Sequence, residues 1–346
     1  MNKKNLAIVF FIAIIITSCG TPGPKSGEKW IAMHFLNYNS DEDLQKLGQE
    51  IIKLADKGVN VCILEVDYHF NYNSYPELRH GKNTITRKAA RKFAGICNKM
   101  DMKLFIEFQC LGHQSWAEET FPLLTVYPEF DITPGEFPNN EGLYCREWDP
   151  LNPKINEIVF SLLGELIDAF NADGIHVGMD EIFLLGSEKS PSTIGKDPAV
   201  LYARVVNELF EFIGKEKKIE MLMWADRFID SKVHTYGEWE ASANGTAPAI
   251  DMIPREIIMC DWHYEPLETY QMESYSSIPM FLEKGFRVLP TSWRNVEVSK
   301  ALINNSLEFE NDKMLGHLFT AWAKYRDPLN YDPLVAGIEL LKNTDK

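Results

Sequence analysis

The sequence predicts an α/β fold, a single (β/α)8 barrel of the TIM type, on three observations. Short apolar runs bounded by turn or charged residues recur eight times along the chain. Most are separated by a segment with helical period, the pattern of a parallel sheet with crossover helices. Eight is also the number of strands that closes such a barrel. With 45% apolar and 12% aromatic residues the chain has ample material for a core.

Residues 1–19 read as an address rather than as fold. Lys3 and Lys4 precede the apolar run "LAIVFFIAIII", which is short for a bilayer span, and Ile16-Thr17-Ser18-Cys19 has the form of a bacterial lipobox in which Cys19 is lipidated. Residues 20–29, "GTPGPKSGEK", form a flexible tether, and 30–346 the barrel. The expectation is a cell-envelope lipoprotein of a bacterial outer membrane, held by its lipid and not spanning the bilayer. A net charge of -15 argues against nucleic acid and anionic lipid surfaces and favours a neutral or cationic ligand. The five cysteines other than Cys19 lie mostly in apolar runs without CxxC spacing, so they read as buried thiols.

The eight predicted strands are "WIAMHFL" (30–36), "VNVCILEVD" (59–67), "MKLFIEF" (102–108), "GIHVGMD" (174–180), "EMLMWAD" (220–226), "EIIMCDW" (256–262), "FRVLPTSW" (286–293) and "LGHLFTAW" (315–322). A helix is clearest over 41–57, where Leu44, Leu47, Ile51, Ile52 and Leu54 form a stripe behind Ser40 or Asp41 as N-cap. Others are expected near 86–100, 153–171, 198–217, 296–309 and 333–342. Two long connections, 109–152 and 227–255, follow strand C-termini, the face on which barrel sites are built.

The last residues of the eight strands line one mouth: Asp67, then Gly112 and His113, Asp180 and Glu181, Trp224 with Asp226, Trp262, Trp293 and Trp322. Four consecutive strands ending in Trp, in a chain with only 8, read as the walls of a sugar pocket, since a plain core would not need interleaved acids. Adjacent strand residues point to opposite faces, so Asp180 and Glu181 can share one cavity only where the strand ends and turns. Two close carboxylates in such a pocket do not ionise equally, and glycoside cleavage needs that split between a proton donor and an anion. The eight histidines include no HxH or HExxH pair, so neither a metal nor another cofactor is expected, and His176, inside a strand, reads as a satisfied core residue.

These residues resemble glycoside hydrolase family 20, the β-N-acetylhexosaminidases and their relatives. "HVGMDE" is similar to the family's His-x-Gly-Gly-Asp-Glu signature, with Met179 in place of the second Gly. "MKLFIEFQCLGHQSW" resembles its Ile-Pro-Glu-x-x-x-Pro-Gly-His segment, matching at Glu107, Gly112 and His113 with Leu111 for Pro. "YPEL" (75–78), "LNP" (151–153) and the order of Trp224, Trp262 and Trp322 extend the likeness over most of 30–325. The resemblance implies retention assisted by the substrate's own 2-acetamido group. Glu181 would be general acid and base, Asp180 would orient the acetamido N–H, His113 and Asp67 would support them, and the tryptophans would enclose the sugar.

The departures concern the groups that grip hydroxyls. Strand one reads "MHFLNYN" without the family's Arg, strand seven offers Ser292, Trp293, Arg294 and Asn295 in place of Tyr and Asp, and Ala323-Lys324 follow Trp322 where the family has Glu. The family's small N-terminal α/β domain has no counterpart in these 346 residues. The expected partner is a hexosamine-containing glycan. Two other readings stay open: a lipid-anchored glycan-binding protein without turnover, and a barrel glycosidase with a protein nucleophile acting on sugars that lack the acetamido group.

Overall fold

A computed structural model describes residues 28–309 and 311–342. The signal segment, Cys19 and most of the tether lie outside the described residues. Each of the eight predicted runs forms one strand, the third continuing two residues beyond the predicted 108: β1 (Trp30–Phe35), β2 (Val61–Glu65), β3 (Lys103–Cys110), β4 (Gly174–Gly178), β5 (Glu220–Trp224), β6 (Ile258–Trp262), β7 (Arg287–Trp293) and β8 (Gly316–Thr320). All pair in parallel with their neighbours, and β8 closes on β1 through Trp30↔Gly316 to Met33↔Phe319.

Among the described residues, seven α-helices of seven or more residues cover the outside: α1 (Asp41–Lys57), α2 (Arg87–Lys99), α3 (Pro153–Phe170), α4 (Pro198–Phe210), α5 (Ser277–Glu283), α6 (Val296–Leu307) and α7 (Asp332–Lys342). Ser40 caps α1 as expected, accepting from the Asp43 N–H, and Asn152 and Asp197 cap α3 and α4 from the Lys154 and Ala199 N–H groups, before Pro153 and Pro198, whose missing N–H costs nothing at a first turn. The α1 stripe is narrower than expected, because Ile52 is exposed and only Leu44, Leu47, Ile51 and Leu54 pack inward. The helix predicted over 198–217 ends at Phe210, and Glu211–Glu216 winds as a π-helix. α5 was not foreseen. The long connections hold local structure: a two-residue hairpin pairing Ser115–Trp116 with Glu119–Thr120, and short helical turns at Gly237–Glu240 and Ala247–Met252. Cys62, Cys97, Cys110, Cys145 and Cys260 are buried free thiols, as their apolar surroundings predict.

Strand alternation sorts the core into two clusters. Ile31, Met33 and Phe35 of β1 join the large cluster beneath the helices, while Trp30 and Ala32 join a smaller one inside the barrel with Val61, Ile63, Phe105, Leu222, Ile258, Leu289 and Leu318. Continuing the same two-residue step carries the inward face of β1 to His34, of β2 to Glu65, of β3 to Glu107 and of β4 to His176. The barrel is therefore apolar below and polar in its upper layer, on the side where the strands end.

The seam between β8 and β1 depends on Gly316, whose φ is +150° and whose missing Cβ would stand 2.1 Å from the Trp30 carbonyl oxygen. Gly316→Ala is expected to lower the free energy of unfolding by about 3 kcal/mol, read by denaturant titration; an unchanged midpoint would refute this account of the seam.

Candidate active site

The chain bends sharply as β4 ends. Gly178, Met179 and Glu181 all have left-handed φ, at 64°, 69° and 52°. Glycine suits 178, where it adopts the positive φ without strain and leaves room for Gln109 Oε1, which a Cβ would meet at 1.8 Å. Met179 and Glu181 have no such freedom, and each costs on the order of 1 kcal/mol or more in this conformation. Two hydrogen bonds hold the bend: Tyr202 Oη donates to the Met179 carbonyl at 2.7 Å, and the Glu181 N–H donates to Asp226 Oδ2 at 3.0 Å. In consequence both carboxylates reach one imidazole, as the sequence requires if they act together.

His113 stands between them. Its Nε2 lies 3.3 Å from Asp180 Oδ2 and 3.4 Å from Glu181 Oε2, ion-pair distances without hydrogen-bond alignment, and its Nδ1 lies 3.4 Å from Cys145 Sγ. The loop that delivers it is tight: Leu111 and His113 also have positive φ, and a Cβ on Gly112 would meet Ile182 Cδ1 at 2.5 Å. Burial opposes a charge on His113, but the Asp180 carboxylate outweighs it and raises the imidazole pKa well above the ordinary value. Asp67 lies behind, its Oδ1 accepting the Gln109 N–H at 2.7 Å; burial pushes its pKa up to about 7 against that hydrogen bond.

The floor of the cavity is the polar layer of the barrel. Glu107, fully buried, pairs with His34 Nε2, lies 3.2 Å from His176 Nδ1 and accepts the Trp224 Nε1–H at 3.1 Å. Burial alone would raise its pKa, but the two imidazoles outweigh burial and hold it below the usual range. His176 thus takes the core place expected of it. Trp224 is 0% exposed and stands level with Cys260, one layer below Trp262, packed on His34, His176 and Trp322.

The other three tryptophans meet around Tyr264. Trp322 Nε1 donates to Tyr264 Oη at 2.8 Å, Trp262 stacks on the Tyr264 ring at 4.9 Å, and Trp293 approaches it edge-on at 5.5 Å. Trp262 Nε1 also donates to Asp226 Oδ1 at 3.3 Å, so Asp226 ties this wall to the Glu181 backbone. Burial lifts the Asp226 pKa to about 6 despite Arg227 at 2.6 Å. Of the two guanidinium groups beside this wall, Arg227 is buried behind Asp226, and the exposed Arg294 lies over the face of Trp293 at 4.1 Å.

Two residues escaped the reading of strand ends. Glu65, the inward residue at the top of β2, reaches the cavity with no hydrogen-bond or ion-pair partner among the described residues, and burial raises its pKa well above the carboxylate range. Counting back two residues from Asp67 would have found it. Glu147 lies in the loop after β3, where no strand period points inward; its Oε1 accepts the N–H groups of Phe183 and Leu184 at 2.6 and 2.8 Å and so fixes the chain just beyond the acid pair.

Two triads of ligand-type atoms lie within 4.8 Å of one another, His113 with Asp180 and Glu181, and His34 with Glu65 and Glu107. In the second, both His34 nitrogens are engaged, by Glu107 and by Thr320 Oγ1 at 2.9 Å. In the first, a cation would have to displace the proton that Asp180 holds on His113.

No protein-family model and no curated protein matches the chain. Solved structures do. A β-N-acetylhexosaminidase from Bacteroides fragilis superposes with a TM-score of 0.62 at 12% identity, covering 90% of this chain and 65% of that one. A Flavobacterium johnsoniae chitobiase gives 0.62 at 15%, covering 92% and 48%. Dispersin B gives 0.55 at 14%, covering 90% and 99%. The likeness is one of fold: the chain spans 65% and 48% of the first two structures and nearly the whole of the third.

Burial raises the Glu147 pKa from 4.5 to about 7, against the two N–H groups that favour its charge. A carboxyl with a raised folded-state pKa contributes stability below its unfolded value and loses it as pH rises to the folded value. Glu147→Gln keeps an acceptor oxygen and removes the titration. The Tm of this variant minus that of wild type should therefore climb between pH 4.5 and about 7 and level off above; a difference independent of pH would refute the assignment.

Proposed function

We propose that the chain is a glycoside hydrolase that releases β-linked N-acetylhexosamine from glycans with the substrate's acetamido group as nucleophile. The observation that carries this reading is the bent end of β4, which turns two adjacent carboxylates onto one imidazole beneath a tryptophan wall. The likeness in fold to a β-N-acetylhexosaminidase and a chitobiase supports it.

In this mechanism Glu181 gives its proton to the glycosidic oxygen while the acetamido carbonyl oxygen attacks the anomeric carbon and closes an oxazolinium ring. Asp180 accepts the acetamido N–H and balances the growing positive charge. Glu181, now a carboxylate, takes a proton from the water that reopens the ring, so configuration is retained. The His113 imidazolium steadies both acids, and Asp67 supports it from behind. Trp262, Trp293 and Trp322 receive the sugar's faces, Asp226 sets their distance from Glu181, and Trp224 floors the pocket. A binder without turnover would gain little from holding two carboxylates together.

Hydrolysis of aryl β-N-acetylglucosaminide and β-N-acetylgalactosaminide tests this. Glu181→Gln and Asp180→Asn should each lower kcat at least ~100-fold, and a thiazoline mimic of the cyclised intermediate should inhibit. Full activity in Glu181→Gln sinks the assigned acid; an active enzyme indifferent to the thiazoline, or one preferring plain glucosides, removes the acetamido mechanism.

The same proposal extends to the cell envelope, where Cys19 carries the lipid. Labelled palmitate should enter the wild-type protein and not Cys19→Ser, which should fractionate away from membranes; membrane retention of that variant would count against the anchor.

A further inference from the structure

Three loops raise aromatic rings beside the acid pair that the chemistry above does not use. Trp116, on the hairpin after β3, is 58% exposed, and Trp239, on the short turn after β5, is 45% exposed. Tyr144 lies between them, its ring centroid 5.9 Å from Trp116, 4.9 Å from Trp239, 6.1 Å from Phe183 and 5.9 Å from His113. The patch therefore runs unbroken from the rim to the imidazole between the acids.

These rings are held, not merely exposed. Arg227, bonded through Nε to Asp226, donates through Nη2 to the carbonyls of Glu238 and Trp239 at 2.8 and 2.7 Å, and its guanidinium lies 4.8 Å from the Phe183 ring centre. Glu240 is locked in turn by His263 Nδ1 at 2.8 Å and Tyr270 Oη at 2.7 Å. On the other side Asn140 Nδ2 donates to the Ala117 carbonyl at 3.0 Å, and the Arg146 N–H donates to Ser115 Oγ at 2.9 Å, which fixes the hairpin. Backbone held this firmly under two exposed indoles is the arrangement of a binding surface.

Its position says what binds. Tyr144 meets His113 edge-on at 5.9 Å, that imidazole lies 3.4 Å from Glu181 Oε2, and Phe183, 6.1 Å from Tyr144, stands two residues beyond Glu181. The group that protonates a leaving oxygen faces the departing sugar, so the surface on the Glu181 side receives the part of the glycan beyond the broken bond. Resting on the hydrolase reading, we infer that Trp116, Tyr144, Phe183 and Trp239 form a platform for the second and third rings of a β-linked hexosamine oligomer. Ring faces take the C–H patches of uncharged sugars, and the preferred substrate is an oligomer rather than a single capped sugar.

The test compares a β-linked N-acetylglucosamine trimer with the single-sugar glycosyl fluoride, whose leaving atom is too small to reach the rim. In the double variant Trp116→Ala/Trp239→Ala, kcat/KM on the trimer should fall about tenfold more than on the fluoride, chiefly through KM, and Phe at both positions should recover most of the loss. Trimer affinity, titrated by intrinsic fluorescence in a Glu181→Gln background, should fall by a similar factor. If wild type hydrolyses neither sugar, the hydrolase reading fails while that loss of affinity still upholds the platform. No loss, an equal loss on both substrates, or a loss the Phe variants share in full overturns it.

Discussion

A carboxylate with no access to water must be neutralised by its neighbours, and Glu107 sets that demand at the centre of the barrel. Its partners come from three other strands: His34 from β1, His176 from β4 and Trp224 from β5. Removing one partner would leave a buried charge short of compensation, a defect worth several kcal/mol, so the four side chains are fixed as a group. Everything above them, the cavity, the acid pair and the wall, is built on a floor whose geometry this one charge dictates.

The bend at the end of β4 is the second constraint, and it is local where the first is central. Strained backbone persists only where its surroundings over-determine it. Here Tyr202 holds the Met179 carbonyl, Asp226 holds the Glu181 N–H, and Glu147 holds the two N–H groups beyond. Asp226 serves two elements at once, since its other oxygen accepts from Trp262. The distance between acid and wall is therefore a property of one buried carboxylate rather than of loop packing.

Much of this was legible in the sequence because a barrel strand has a period and an end. The eight apolar runs became the eight strands, and Asp180, Glu181, His113, Trp262, Trp293 and Trp322 came together at one mouth. How high a strand's last residue stands depends on how far the strand climbs, which sets Trp224 level with Cys260 and below Trp262, and a list of final residues passes over Glu65, two before Asp67. Trp116, Tyr144 and Trp239 were beyond reach, since loops carry no period to aim a side chain and their meeting depends on Arg227, Arg146 and Glu240.

The seam between β1 and β8 has a bearing on biogenesis. The hydrogen bond from His34 to Thr320 joins residues 286 apart in the chain. Throughout synthesis β1 presents an open edge on that side, and only the last strand to emerge can cover it, which makes the topology slow to complete and exposed to mispairing meanwhile. A polypeptide carried through a membrane before its final strand arrives crosses without a closed barrel. The ring therefore stays open until β8 is released, and α7 alone of the main elements follows the strand that commits the chain to its folded form.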